Sequence, residues 1–95
     1  MKPTTMAIHK YPIDVADVQD IDLPSRAKIL SFQIQYDVPC IWALVDIEAP
    51  MKPRRLHLVG TGHRREEDFF KGKFIGTVQA DNGMLVWHLF EEEAK

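Results

Sequence analysis

Apolar and polar residues alternate with period two over most of this chain, and proline, glycine and asparagine interrupt the alternation at regular intervals. Residues 6–13 set Ile8 and Lys10 on one face and Ala7, His9 and Tyr11 on the other. That predicts a first strand, which Pro12 must end or confine to a sheet edge because proline has no backbone donor. Residues 18–23 predict a short second strand closed by Pro24; a helix over 14–19, with Asp14 as its N-cap, is the competing reading. From Lys28 the pattern sharpens, with Leu30, Phe32, Ile34 and Tyr36 on one face and Ser31, Gln33 and Gln35 on the other. Asp37-Val38-Pro39 predicts a turn, followed by a strand over 40–47 that is apolar on both faces apart from Asp46. Such a strand is central and covered on both sides, and it pairs with the one before it as a hairpin. A loop over 48–52, bracketed by Pro50 and Pro53, leads to a strand over 54–61 with Leu56, Leu58 and Gly60 opposite Arg55, His57, Val59 and Thr61. Gly60-Thr61-Gly62-His63 turns the chain into a polar stretch, 64–72, with room for one helical turn over 66–70. Strands over 74–80 and 84–91 then flank Asp81-Asn82-Gly83. Asn-Gly between two apolar runs is the signature of a type I′ hairpin turn, whose central residues both need φ > 0.

Six or seven short strands about ten residues apart, with little helix, predict an all-β fold: a small antiparallel sandwich or a partly open barrel. The expected core is Leu30, Phe32, Ile34, Ile41, Ala43, Val45, Leu56, Leu58, Val78, Val86 and Phe90. The 95 residues fit a single globular domain, 1–95, with a loose leader over 1–5 and a loose tail over 92–95. Apolar residues make up 45% and charged residues 27%, enough burial to exclude intrinsic disorder. The longest apolar run, 40–45, is too short to span a membrane as a helix, and 1–5 lack the apolar segment of a signal peptide. A lone cysteine, Cys40, excludes an internal disulfide and fits a reducing compartment. Its place in the most apolar strand predicts core packing rather than a nucleophile's role.

The segments Leu23-Pro24, Ala27-Lys28-Ile29-Leu30-Ser31, Pro39-Cys40-Ile41-Trp42-Ala43-Leu44-Val45-Asp46, Val59-Gly60-Thr61-Gly62-His63, Phe74-Ile75-Gly76-Thr77 and Leu85-Val86-Trp87-His88-Leu89-Phe90-Glu91 carry a resemblance. Together they are similar to a family of small uncharacterised proteins found in bacteriophages, prophages and bacterial genomes, over residues 7–92. The resemblance implies a phage or prophage accessory protein and assigns no activity, cofactor or catalytic residue. The chain departs from the family pattern over 64–73, which is more basic here, so a function particular to this member is expected in that loop.

The candidate chemistry is sparse. His9, His57, His63 and His88 have no ligand spacing between them, so no metal or other cofactor is expected. Asp14, Asp17, Asp20 and Asp22 read as a solvated edge that blocks strand pairing rather than an acid–base pair. Asp46 breaks an apolar strand and needs a partner, for which Arg55 or His57 is the expectation. Trp42 and Trp87 are expected to pack in or between sheets, or to serve an interface if they share an exposed face. Gly60-Thr61-Gly62-His63-Arg64-Arg65 is the most suggestive segment, since glycine amides and arginines together hold anions. It lacks the spacing of a dinucleotide motif and serves equally as a plain turn.

Charge distribution adds to this. The formal net charge is −2, with no global pull toward nucleic acid. Residues 52–73 nevertheless hold seven basic and three acidic side chains, a local +4, while 14–22 and the 91–93 glutamates carry the opposite sign. This asymmetry can steer a charged partner or be satisfied within the chain. The expectation is a non-enzymatic binding protein: a phage-encoded inhibitor of a bacterial defence system such as CRISPR machinery, working in the host cytosol. Its acidic host partner would meet Arg54, Arg55, Gly60, Gly62, His63, Arg64 and Arg65. The alternatives are sequestration of a phosphorylated nucleotide at the Gly60–Arg65 loop and an oligomeric assembly protein joined through strand edges.

Overall fold

A computed structural model describes residues 2–93; the parts of the leader and tail readings that fall on residues 1, 94 and 95 lie outside it. Seven strands form: β1 (Met6–Pro12), β2 (Val18–Pro24), β3 (Lys28–Gln35), β4 (Val38–Asp46), β5 (Met51–Gly60), β6 (Lys73–Ala80) and β7 (Leu85–Glu91). The only helical pieces among the described residues are 3-10 turns at Glu67–Phe70 and Asp81–Gly83. The strands make two antiparallel sheets, ordered β1-β4-β3 and β2-β5-β7-β6. Their inner faces meet in one core of Leu23, Phe32, Ile41, Ala43, Val45, Leu56, Leu58, Val78 and Leu89, with Ile13 and Ala27 added from the connections. This is the sandwich form of the expected all-β fold; each sheet keeps two edges and no barrel closes. β1 lies at an edge and ends at Pro12, as a strand carrying a proline must.

The helix over 14–19 does not form. Instead the Gln19 side chain spans that loop, accepting from the Asp14 amide at 2.9 Å and donating to the Asp14 carbonyl at 2.7 Å. The β3–β4 turn sits at Tyr36-Asp37, where both residues have positive φ (50° and 65°), so Val38 and Pro39 open β4 rather than shape the turn. Tyr36 is consequently 89% exposed. A register shift between Ile29 and Ser31 turns Leu30 outward, 45% exposed, and packs Ile29 on the core instead. On β7 the inner face is Leu89 with Trp87; Val86 and Phe90 occupy the outer face, half-buried. Ile34 is also only half-buried, at the core margin. Asp46 meets neither Arg55 nor His57, which belong to the other sheet; its carboxylate accepts from the Glu48 amide at 3.0 Å. Cys40 is buried, its thiol donating to the Val38 carbonyl at 3.5 Å.

Asn82-Gly83 forms the expected turn. Asn82 has φ 54° and ψ 32°, Gly83 has φ 87°, and the Met84 amide donates to the Asp81 carbonyl at 2.9 Å. Asp81 is left-handed too, so the strand ladder closes one step further out, at Ala80 and Leu85. Gly83→Val forces a β-branched residue into positive φ and is expected to cost roughly 1–2 kcal/mol. A chemical denaturation midpoint unchanged by that substitution would contradict the requirement.

Candidate functional site

β5 and β6 run parallel with β7 between them, so residues 61–72 must recross the sheet to connect them. They do so over the outer face. His57 of β5 and Phe90 of β7 stand opposite each other on that face. Phe69 of the crossover packs edge-on against His57 with ring centroids 4.8 Å apart, and Phe70 packs on Phe90 at 5.6 Å. The outer face of β7 is therefore apolar because a loop covers it, which is why both faces of that strand carry large hydrophobic side chains. The crossover rejoins the sheet at Gly72, where the chain lies so close to β7 that a Cβ would fall 2.0 Å from the Glu91 carbonyl oxygen. Between crossover and sheet lies an open depression of about 800 Å³, floored by Phe69, Phe90 and His57 and rimmed by Arg65, Lys71 and Glu92.

The charges around it are arranged in opposite-sign pairs. Arg65 donates to Asp17 at 2.9 Å and to the Arg64 carbonyl at 2.8 Å, with its guanidinium 5.6 Å above the Phe69 ring. Arg55 holds Asp20 through two hydrogen bonds of 2.9 and 3.2 Å. These bonds keep the Asp20 carboxyl below its ordinary range and raise the Arg55 guanidinium. Lys71 lowers Asp68 in the same way across 2.8 Å. His57 Nε2 lies 3.1 Å from Glu92, while its Nδ1 is buried without a partner. Arg54 points to the other side of the sheet, between Glu91 and the Ala27 carbonyl. Its contact with Glu91 raises its pKa against the cost of burial.

The segments richest in acid are thus the partners of the basic window: Asp17 and Asp20 take Arg65 and Arg55, and Glu91 takes Arg54. Of the four arginines singled out from sequence, Arg64 alone makes no ion pair among the described residues. Gly60, Gly62 and His63 form a turn closed on itself. The His63 amide donates to the Gly60 carbonyl at 3.1 Å, Gly62 takes φ 84°, and the His63 ring folds onto Gly60, with its edge toward Trp87. Only Arg65 of the seven predicted residues reaches the depression. Phe69, Phe90 and His57, which build its floor, were not among them; the one sequence signal for them is the Phe69-Phe70 pair inside an otherwise polar loop. His88 on the same face is held at both ring nitrogens, by the Thr61 hydroxyl at 2.7 Å and the Thr77 hydroxyl at 2.8 Å. Trp87 packs against the core from the four-stranded sheet while Trp42 lies half-buried on the outer face of the other, so the two tryptophans share no surface. Among the described residues no helix is long and apolar enough to cross a membrane.

A family model described as a domain of unknown function, DUF7352, matches residues 4–95, and the chain belongs to that family. No curated protein and no solved structure matches it.

Proposed function

We propose that this DUF7352 member is a non-enzymatic protein-binding module whose contact surface is the aromatic-floored depression beneath the 61–72 crossover. One observation carries the reading: an apolar floor of Phe69 and Phe90 is ringed by side chains of both charge signs. Aromatic anchors inside a polar rim are the anatomy of a protein interface. The pairing of Arg54, Arg55 and Arg65 with acids of the same chain supports a partner that inserts an apolar side chain between polar neighbours, rather than a purely acidic surface drawn by long-range attraction. It also weighs against a phosphate cradle at Gly60–Arg65, where the Thr61 and His63 amides and the Arg65 guanidinium are already engaged. The resemblance to phage and prophage proteins supports a host factor as the partner, with inhibition of a bacterial defence system such as CRISPR machinery as the task and the host cytosol as the place.

Affinity capture from bacterial lysate, followed by kinetics with the purified partner, tests this. Phe69→Ala should weaken binding about thirtyfold, the roughly 2 kcal/mol of an interface anchor, while the protein still melts cooperatively. Equal binding by the folded variant would overturn the reading. So would a phosphorylated nucleotide that copurifies with the wild type and gives arginine-dependent heat on titration.

A further inference from the structure

Four strands lie at sheet edges, and three of them are guarded. β2 carries Asp20, Asp22 and Pro24; β3 is interrupted by the shift between Ile29 and Ser31; β6 is interrupted between Phe74 and Gly76. Charges, prolines and bulges on an edge work against its pairing with another chain, and of these β1 has only Lys10 and the terminal Pro12. β1 has an unbroken register with β4 over all seven of its residues.

The hydrogen bonds that flank this pairing show which β1 groups are free. The Ile47 amide donates to the Thr5 carbonyl and the Ile13 amide to the Pro39 carbonyl. In an antiparallel ladder hydrogen-bonded positions recur every second residue, so Ala7, His9 and Tyr11 face β4 with their backbone groups. The N–H and C=O groups of Met6, Ile8 and Lys10 point away from the sheet, as does the donor-less Pro12. The side chains of these residues lie on the outer face, where Ile8 stands opposite Leu44, Lys10 opposite Trp42, and Ile8 is 59% exposed.

We propose that β1 pairs antiparallel with β1 of a second copy of this chain, centred on Ile8, joining two three-stranded sheets into one of six strands. Self-complementarity selects this occupant and register. Centred on Ile8, Met6 faces the partner's Lys10 and the two Ile8 residues face each other. Each copy's Met6, Ile8 and Lys10 amides find an acceptor, six hydrogen bonds in all. Centring on His9 would set the Met6 carbonyl against Pro12, which has no N–H, and bring the two lysines onto a diagonal. Centring on Lys10 would place the lysines face to face. In the Ile8 register the lysines are far apart, and Ile8, Leu44 and Trp42 of both copies form a continuous apolar stripe.

Sedimentation velocity over a concentration series, with amide exchange read residue by residue, tests the proposal. The wild type should sediment at twice 11.0 kDa. Its Met6, Ile8 and Lys10 amides should be protected, although they point outward in a single chain. Ile8→Lys sets two like charges opposite each other at an exposed position and should give a cooperatively melting monomer in which those three amides lose protection. Ile8→Pro, which deletes only an outward donor, should likewise give a monomer, with the remaining Met6 and Lys10 amides unprotected. A wild-type monomer with these amides unprotected overturns the proposal and leaves the edge to an extended segment of another protein. A dimer as tight in Ile8→Lys as in the wild type overturns it as well.

Discussion

Phe32→Ala is expected to lower stability by about 3–5 kcal/mol, the range for truncating a buried aromatic ring. Phe32 is 3% exposed and stands on β3 at the junction of the two sheets. Across from it β6 presents Gly76, whose added Cβ would lie 3.5 Å from the Phe32 Cβ, so no bulky side chain is available there to collapse into the space. The cavity should therefore persist, adding its own cost to the lost transfer energy. A domain of this size has about 5–15 kcal/mol in total, and each kcal/mol shifts the midpoint by roughly 4–8 °C. A thermal melt followed by near-ultraviolet dichroism should move down by roughly 15–30 °C. Phe32→Leu, which keeps most of the volume, should lose much less. A Phe32→Ala protein melting close to the wild type would remove Phe32 from the core.

Phe32, Ile41, Leu56 and Leu58 were legible because a strand has a side-chain period of two, and their neighbours in sequence are polar or lie on another covered face. Leu30 was misplaced for the same reason: one extra residue between Ile29 and Ser31 moves the side chain to the other face, and nothing in the residue types there announces it. β7 failed differently. Val86, Trp87, Leu89 and Phe90 are apolar on both faces because the crossover covers the outer one, and a continuous apolar run does not say which face meets the core. The site was less legible than the fold. Charge along the chain separates into an acidic segment, a basic window and an acidic tail, but Asp17 meets Arg65, Asp20 meets Arg55 and Arg54 meets Glu91 across 48, 35 and 37 residues of sequence. Those meetings follow from the sheet order β2-β5-β7, which the alternation pattern does not contain.

Arg54 and Arg55 adjoin in sequence and face opposite sides of β5, and their replacement should differ sharply in effect. The Arg54 and Glu91 side chains are only 24% and 13% exposed, and the guanidinium also donates to the Ala27 carbonyl at 2.8 Å. Arg54→Met leaves a nearly buried carboxylate and a carbonyl without their donor. Removing one partner of a buried pair costs about 3–5 kcal/mol, and the residual exposure here places the loss near 3 kcal/mol. Replacing both partners removes the stranded charge, so Arg54→Met with Glu91→Leu should recover much of that loss. The Arg55 and Asp20 side chains are 51% and 49% exposed. Water solvates Asp20 when Arg55 is replaced, so Arg55→Met should leave stability almost unchanged. Urea denaturation of the three variants at neutral pH separates these outcomes. If Arg54→Met is no worse than Arg55→Met, Arg54 is a surface charge available to a partner; if it is worse and the double variant is rescued, its charge is spent inside the fold.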